Sequence, residues 1–531
     1  QFKERAVLGA ISSAKDKLVE PEEFLLNAGQ DFRLKRIGEI YKEYQKQLRG
    51  NNALDFDDLI VKTVELFQNS PEALNYYQER FKYIMVDEYQ DTNQAQFKLI
   101  SLLAAKYKNL CVVGDDDQSI YRFRGADIEN ILSFENAFPG ARVIKLEENY
   151  RSTKNILNAA NGVIRNNRGR KDKTLWTANE AGAFIQFRQF DTARDEADFV
   201  ARQLRDSGFS YQDQAVLYRT NAQSRLIEER SIFYNVPYRL VGGVNFYQRR
   251  EIKDILAYLK TIDNGMDGQA VRRIINVPKR GIGATTIERV QEYADQNGIT
   301  FWQALCEAEN IDTIKRGAGK IEPFVTLINS LKAKQEFLSL KELVKTVLDD
   351  TRYIESLAES ETAEEIEARQ ENIDELINKV VSYENGCAEK GEEVSLSGFL
   401  EEVALIADID NLDESEKQVM LMTLHSAKGL EFPIVFMTGM EDGLFPSYMT
   451  IVSDDPTEIE EERRLCYVGI TRAEKVLNLS SAKMRMVRGE TQMNKVSRFI
   501  KEIPDEYLNI ENNSSGYKGK IAYGGKDESE E

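Results

Sequence analysis

The segment KYIMVDE at residues 82–88 is a short apolar run that ends in two adjacent acids. The arrangement recurs in NLCVVGD at 109–115 and in ARVIKLEENYRS at 141–152. A helical stretch follows each run, as in TNQAQFKLISLLAAKY at 92–107. Strand-length apolar runs alternating with helices predict a parallel sheet of the α/β class. The same texture continues through QAVLYRTNAQSRLIEERSIFYN at 214–235. It returns at VMLMTLHSAKGLEFPIVFMTGM (419–440) and at VLNLSSA (476–482).

Working outward, residues 1–54 read as helices, with Phe24, Leu25 and Ala28 on one face and Ile37, Ile40, Tyr41 and Tyr44 on another. Residues 55–143 carry the first strands and 144–250 a second set of the same style. From 251 to 416 helices dominate, which predicts a helical domain inserted before strands resume over 417–507. The Gly/Ser-rich, charged stretch 508–531 is expected to be a flexible tail. Gln1 stands where a Met would, directly inside helical periodicity, so a fragment of a longer chain is expected.

The 531 residues suffice for three or four domains at roughly 150 residues each. Seventy Lys+Arg against 89 Asp+Glu leave a net charge of −19, with 42% hydrophobic residues and a mean hydropathy of −0.48. This is globular composition, and it excludes disordered and membrane-resident classes. No window approaches about 18 consecutive apolar residues and the N-terminus has no signal-peptide core, so a cytoplasmic protein with no membrane partner is expected. Cys111, Cys306, Cys387 and Cys466 are too scattered for a disulfide framework or a zinc site. A single histidine, His425, removes every His-rich metal centre. The acidic balance argues against indiscriminate polyanion binding while leaving room for a basic groove.

Open α/β sheets bind ligands at the carboxyl ends of their strands. There Asp87 is a candidate to hold Mg²⁺ and Glu88 to orient an attacking water; a solvated strand end is the bland alternative. The next strand ends in Gly114-Asp-Asp-Asp-Gln118, whose amide would sit against a terminal phosphate, unless the turn merely satisfies its own backbone. Tyr121, Arg122, Phe123 and Arg124 interleave rings with cations. Single-stranded nucleic acid needs that pattern, a face for each base and a charge for each phosphate; partial core with solvated arginines is the other reading. Arg151 in ENYRST and Arg472 in YVGITRAEK offer planar, permanent charge for a transferring phosphoryl group, or else structural salt bridges.

Together, DEYQDTN (87–93), GDDDQSIYRFRGA (114–126), ENYRST (148–153), TLHSAKGLEF (423–432) and LCYVGITRAEK (465–475) resemble, in order and spacing, the later motifs of superfamily 1 DNA helicases of the UvrD/Rep/PcrA type, closest to the PcrA branch. The resemblance implies P-loop NTPase (RecA-like) tandem lobes with mainly helical inserted domains. It implies ATP and Mg²⁺ as cofactors and 3′→5′ movement on DNA in repair or replication. Its partners would be single-stranded DNA, duplex junctions and possible repair, replication or transcription proteins. On that basis Asp87 holds Mg²⁺, Glu88 positions water and Gln118 senses the γ-phosphate. Arg151 and Arg472 match the paired arginine fingers, Tyr150 the adenine-stacking ring and Glu431 a ribose contact. Tyr121, Phe123 and Arg124 match the DNA strip, with Phe123 where the family usually has Trp, and His425 falls in the motif coupling nucleotide to DNA. Lys279, Arg280, Gly281 and Gly283 resemble a loop that contacts duplex.

The family opens with a phosphate-cradling GxxxxGK[ST] loop. No such string occurs here. Its nearest approach, Gly317-Ala-Gly-Lys-Ile321, reads as a loop with Ile where the Mg²⁺-binding hydroxyl belongs. The chain is therefore expected to lack the N-terminal phosphate-loop segment and to be inactive alone. The alternative to a helicase is a truncated, ATPase-deficient fragment that binds DNA or a partner. A two-metal nuclease on Asp87, Glu88, Asp91 and Asp115–Asp117 is a third class.

Overall fold

The computed structural model describes residues 4–358, 361–409 and 417–512. Its strands are β1 (Ile84–Val86), β2 (Leu110–Val112), β3 (Ile185–Thr192), β4 (Gln214–Tyr218), β5 (Tyr238–Leu240), β6 (Val419–Thr423), β7 (Phe432–Met437), β8 (Glu441–Asp442), β9 (Ala473–Val487), β10 (Glu490–Met493), β11 (Lys495–Val496) and β12 (Leu508–Asn512). β1 and β2 pair in parallel as a small separate sheet. An eight-stranded sheet runs β12-β3-β9-β7-β4-β6-β5, with β10 folded back on β9. Its pairings are parallel apart from that hairpin. β11 and β8 form a short antiparallel pair. The α/β class expected from the sequence is the class observed.

β4 shows why the large sheet forms. All five of its residues are buried, and alternate side chains serve opposite faces. Ala215 and Leu217 join a core with Ile156, Val163, Leu465 and Leu477; Val216 and Tyr218 join another with Val200, Leu204 and Ile227. Helices Lys154–Ile164 and Pro456–Ile470 cover the first face, Ala193–Asp206 and Ser224–Phe233 the second. Each fully buried aliphatic side chain adds about 1.5–3 kcal/mol.

Between β5 and β6 the chain is helical, from Arg250–Asp263 to Leu396–Ile409, around its own core of Ile255, Leu259, Phe324, Leu343 and Phe399. Helix Ala363–Lys390 anchors this insertion to the large sheet. Arg225 Nε donates to Glu375 Oε2 at 2.9 Å, and Asn378 Oδ1 accepts from the Gly489 amide at 2.8 Å. At the other end of the chain, helices Glu4–Asp16 and Phe32–Gly50 share Val7, Ile11, Ile37 and Tyr41. Buried Lys15 meets Asp55 and Asp58 at 2.6 and 3.0 Å and ties them to helix Phe56–Asn69.

Three segments differ from the sequence reading. The run at 141–152 is not a strand: its one ladder contact is a bridge from Glu148 to Trp176, and Val143, Ile144 and Leu146 stay exposed. Apolar text becomes a strand only where a neighbouring strand offers its hydrogen bonds. Residues 508–512, expected to begin a tail, instead form β12, because β3 presents an open edge to pair with; the tail's remainder, 513–531, lies outside the described residues. The Gly317–Ile321 string lies inside helix Lys315–Gln335 rather than in a loop, and its Gly317 fits closely beside Thr286. Among the described residues no helix is long and apolar enough to cross a membrane.

Candidate functional site

β1 delivers Asp87 and Glu88 to an exposed strand end. Glu88 sits in left-handed backbone, φ +48°, a conformation that non-glycine residues adopt at a cost and that clusters at functional sites. Its amide donates to Asp87 Oδ1 at 2.8 Å, and its Oε2 accepts from Gln90 Nε2 at 2.6 Å. Gln90 is itself fully buried, and its Oε1 accepts the Asp115 amide at 3.0 Å. The Gln118 side chain donates to Asp115 Oδ2 at 2.8 Å. Glu88 and Gln118, far apart in sequence, are thus joined by two hydrogen-bonded residues.

The carboxylates of Asp115, Asp116 and Asp117 lie within 4.8 Å of one another, close enough to hold a cation. A side chain supplies it. Lys173 Nζ bonds Asp115, lies 2.6 Å from Asp116 and 3.2 Å from Asp117, while Arg170 grips Asp117 with two bonds of 2.9 and 2.7 Å. Among the described residues, these partners leave the nuclease reading without a vacant cluster of three acids.

Across from the acids, Arg472 is almost wholly buried, and its guanidinium bonds only neutral oxygens: Val468 O, Leu430 O and Thr471 Oγ1 at 3.0, 3.0 and 3.1 Å. Burial, then the neighbouring Arg151 charge, push its pKa down to about 10. A buried cation beside a second cation is stable where an anion is to come. Arg151 Nε meets Glu431 Oε2, and Arg151 Nη1 reaches Thr471 O at 3.3 Å. Tyr150 presents its ring to solvent, 79% exposed, with its hydroxyl on Glu148 at 2.8 Å.

Both sides meet through the loop after β6. Lys428 Nζ lies 2.5 Å from Asp91, 3.4 Å from Glu88 and 2.9 Å from the Gln118 carbonyl, and 5.2 Å from the Tyr121 ring centre. Three residues on, Glu431 holds Arg151. One loop, through Lys428 and Glu431, thus contacts both the acidic strand end and Arg151.

On the neighbouring surface Tyr121, Phe123 and His425 form one aromatic cluster, with Phe123 edge-on to His425 at 5.5 Å. Arg124 lies 5.2 and 5.3 Å from the Tyr121 and Phe123 ring centres. Phe123 is 54% exposed, so its ring has a free face. Tyr121 donates its hydroxyl to the His425 carbonyl at 3.3 Å. Burial, then Arg219 and Arg124, push the His425 pKa down to about 3. Its imidazole is neutral at physiological pH and poorly suited to proton transfer there. Arg122 points away from the rings to Asp455 and Thr457.

The inserted loop lies apart from this cleft. Lys279, Gly281 and Gly283 are exposed, Gly281 with φ +70°, and Gly283 caps helix Ala284–Asn297. Arg280 is turned inward: it donates to Ile274 O, Ile275 O and the Tyr258 hydroxyl and stacks near Phe324, so it braces the loop. Lys320 Nζ donates to Gly281 O at 3.0 Å. Sequence reasoning missed Gln90, Arg170, Lys173 and Lys428. The basic run RGRKDK at 168–173, matched against the acidic turn at 115–117, was the available signal for two of them.

The family described as UvrD/REP helicase N-terminal domain matches residues 1–139, and UvrD-like helicase C-terminal domain matches 144–484. The ATP-dependent DNA helicase PcrA of Staphylococcus aureus (strain Mu50) is 52% identical over 524 residues, covering 98% of this chain and 71% of that relative. The protein of the same name from Staphylococcus epidermidis (strain RP62A) is 50% identical over 526 residues, with 98% and 71% covered. The match over 1–139 does not support the expectation that the N-terminal domain's phosphate-loop segment is lacking, although no GxxxxGK[ST] string occurs among the 531 residues.

Proposed function

Because the chain belongs to the UvrD/Rep/PcrA-type helicases, we propose that it is an ATP-dependent DNA helicase that moves 3′→5′ and unwinds duplex during repair or replication in the cytoplasm. The observation that carries the reading is buried Arg472, bonded only to neutral oxygens and standing beside Arg151. Such a pair suits the charge that builds on a γ-phosphoryl group during transfer.

ATP with Mg²⁺ supplies the phosphoanhydride that is cleaved and part of its charge neutralisation. The chain's residues do the rest. Asp87, exposed at the end of β1, offers a carboxylate to the metal. Glu88, steadied by Gln90, orients water, and the Gln118 amide sits toward the terminal phosphate. Glu431 restrains Arg151, so a ribose that takes the Glu431 carboxylate frees Arg151 to turn inward. Tyr150 offers a flat, exposed face for the base. Tyr121, Phe123 and Arg124 form the single-strand track, with His425 between track and nucleotide. Lys279 and the Gly281 and Gly283 amides suit duplex phosphates, with Arg280 as their support.

In this reading residues 55–143 belong to the first RecA-like lobe, and 144–250 with 417–512 to the second. Residues 1–54 and 251–416 are the helical insertions. Arg472→Ala should lower DNA-stimulated ATP turnover by about 10³-fold or more. Unchanged turnover would remove Arg472 from the reaction.

A further inference from the structure

The turn that presents Gln118 is governed from the opposite side of the cleft. Its three aspartates come from the end of β2, while the cations that neutralise them, Lys173 and Arg170, come from the segment packed with the large sheet. Arg464, on helix Pro456–Ile470, adds a third positive charge within electrostatic reach of Asp116 and Asp117. The two basic side chains do different work. Arg170 holds Asp117 alone. Lys173 touches all three, and its contact with Asp115 begins a continuous path: Asp115 Oδ2 accepts Gln118 Nε2 at 2.8 Å, the Asp115 amide donates to Gln90 Oε1 at 3.0 Å, and Gln90 Nε2 donates to Glu88 Oε2 at 2.6 Å.

Lys173 is also tied to the segment that leads to Arg151. Its neighbour Thr174 donates an amide to Glu147 Oε1 at 3.3 Å, and Trp176 bonds back to Glu147 O at 2.9 Å, four residues before Arg151. Three carboxylates this close repel one another unless a cation stands among them. Asp115, the most exposed of the three, is otherwise held by the Asp117 amide at 3.0 Å, so removing the ammonium should loosen it and the Gln118 acceptor with it.

We propose that Lys173 is a positioning residue for ATP hydrolysis: by fixing Asp115 it sets the Gln118 amide and, through Gln90, the Glu88 carboxylate, so the approach of the arginine-bearing segment is registered at the water-orienting acid. This deepens the nucleotide-site reading and rests on it. Lys173→Met should lower kcat for DNA-stimulated ATP hydrolysis by about tenfold with KM for ATP unchanged. Lys173→Arg should restore most of it, and Arg170→Met should cost distinctly less. Equal losses in K173M and R170M, or no rescue by K173R, would reduce the cluster to packing and overturn the proposal.

Amide hydrogen exchange on the 531-residue chain separates this from failure of the nucleotide reading, since it needs no turnover. K173M should lose about tenfold protection at 88–91 and 115–118 while β9 and helix Pro456–Ile470 keep theirs. Unchanged protection at both segments, or loss spread equally into β9, would overturn the relay even in an active enzyme. A wild-type protein without DNA-stimulated turnover would instead refute the proposed function and leave the exchange result to judge the relay.

Discussion

The eight-stranded sheet and the small β1–β2 sheet hold their charged groups in opposite ways. The large sheet is self-sufficient. Arg485 is enclosed between Glu196 and Glu441, at 2.7 Å from each, and those carboxylates are completed by Ser480, Asn494 and the Gly439 and Ala482 amides. The small sheet borrows. Its acidic turn is neutralised by Lys173 and Arg170, and its Glu88 and Asp91 by Lys428, all from segments packed with the large sheet. Apolar burial shows the same asymmetry: β4 is buried throughout, whereas Met85 in β1 is 82% exposed. A cleft built between such partners has one rigid wall and one wall whose geometry depends on contact with the other.

The sharpest attack on that contrast is Arg485→Met. It leaves two buried carboxylates without a cation and should destabilise the large sheet by about 3–5 kcal/mol in urea unfolding. A loss below about 1 kcal/mol would show that the large sheet is no more self-reliant than the small one. Intermediate in size is Phe123→Ala on the exposed wall, which should weaken single-strand binding by about 1–3 kcal/mol in a fluorescence titration. Unaltered affinity would take this ring off the track. The smallest effect is expected at Met85→Gln, within about 0.5 kcal/mol of wild-type stability for the 531-residue chain, since the side chain is already in water. A larger penalty would mean that something covers β1.

The sequence disclosed the large sheet more readily than the cleft because its strands carry their own signal. QAVLY alternates between two apolar cores, and no distant knowledge is needed to read it. The run at 141–152 has similar text but finds no ladder, so its apolar residues remain exposed. The aspartates at 115–117 were visible as an acidic turn, but that Lys173 would stand among them depends on how two segments more than fifty residues apart are packed. The inward course of Arg280 is likewise set by Tyr258 and Phe324, neither of which lies near it in sequence.

The placement of β5 beside β6 has one more consequence. These strands are parallel neighbours, so the chain leaves β5 at its carboxyl end and re-enters β6 at its amino end. Topologically, everything between them is one crossover connection at the sheet margin, enlarged into a domain. Its two covalent attachments lie at opposite ends of a three-residue strand, roughly 10 Å apart along the strand direction. Away from those attachments the inserted body is also held to the sheet by side chains, Arg225 on Glu375 and Asn378 on the Gly489 amide.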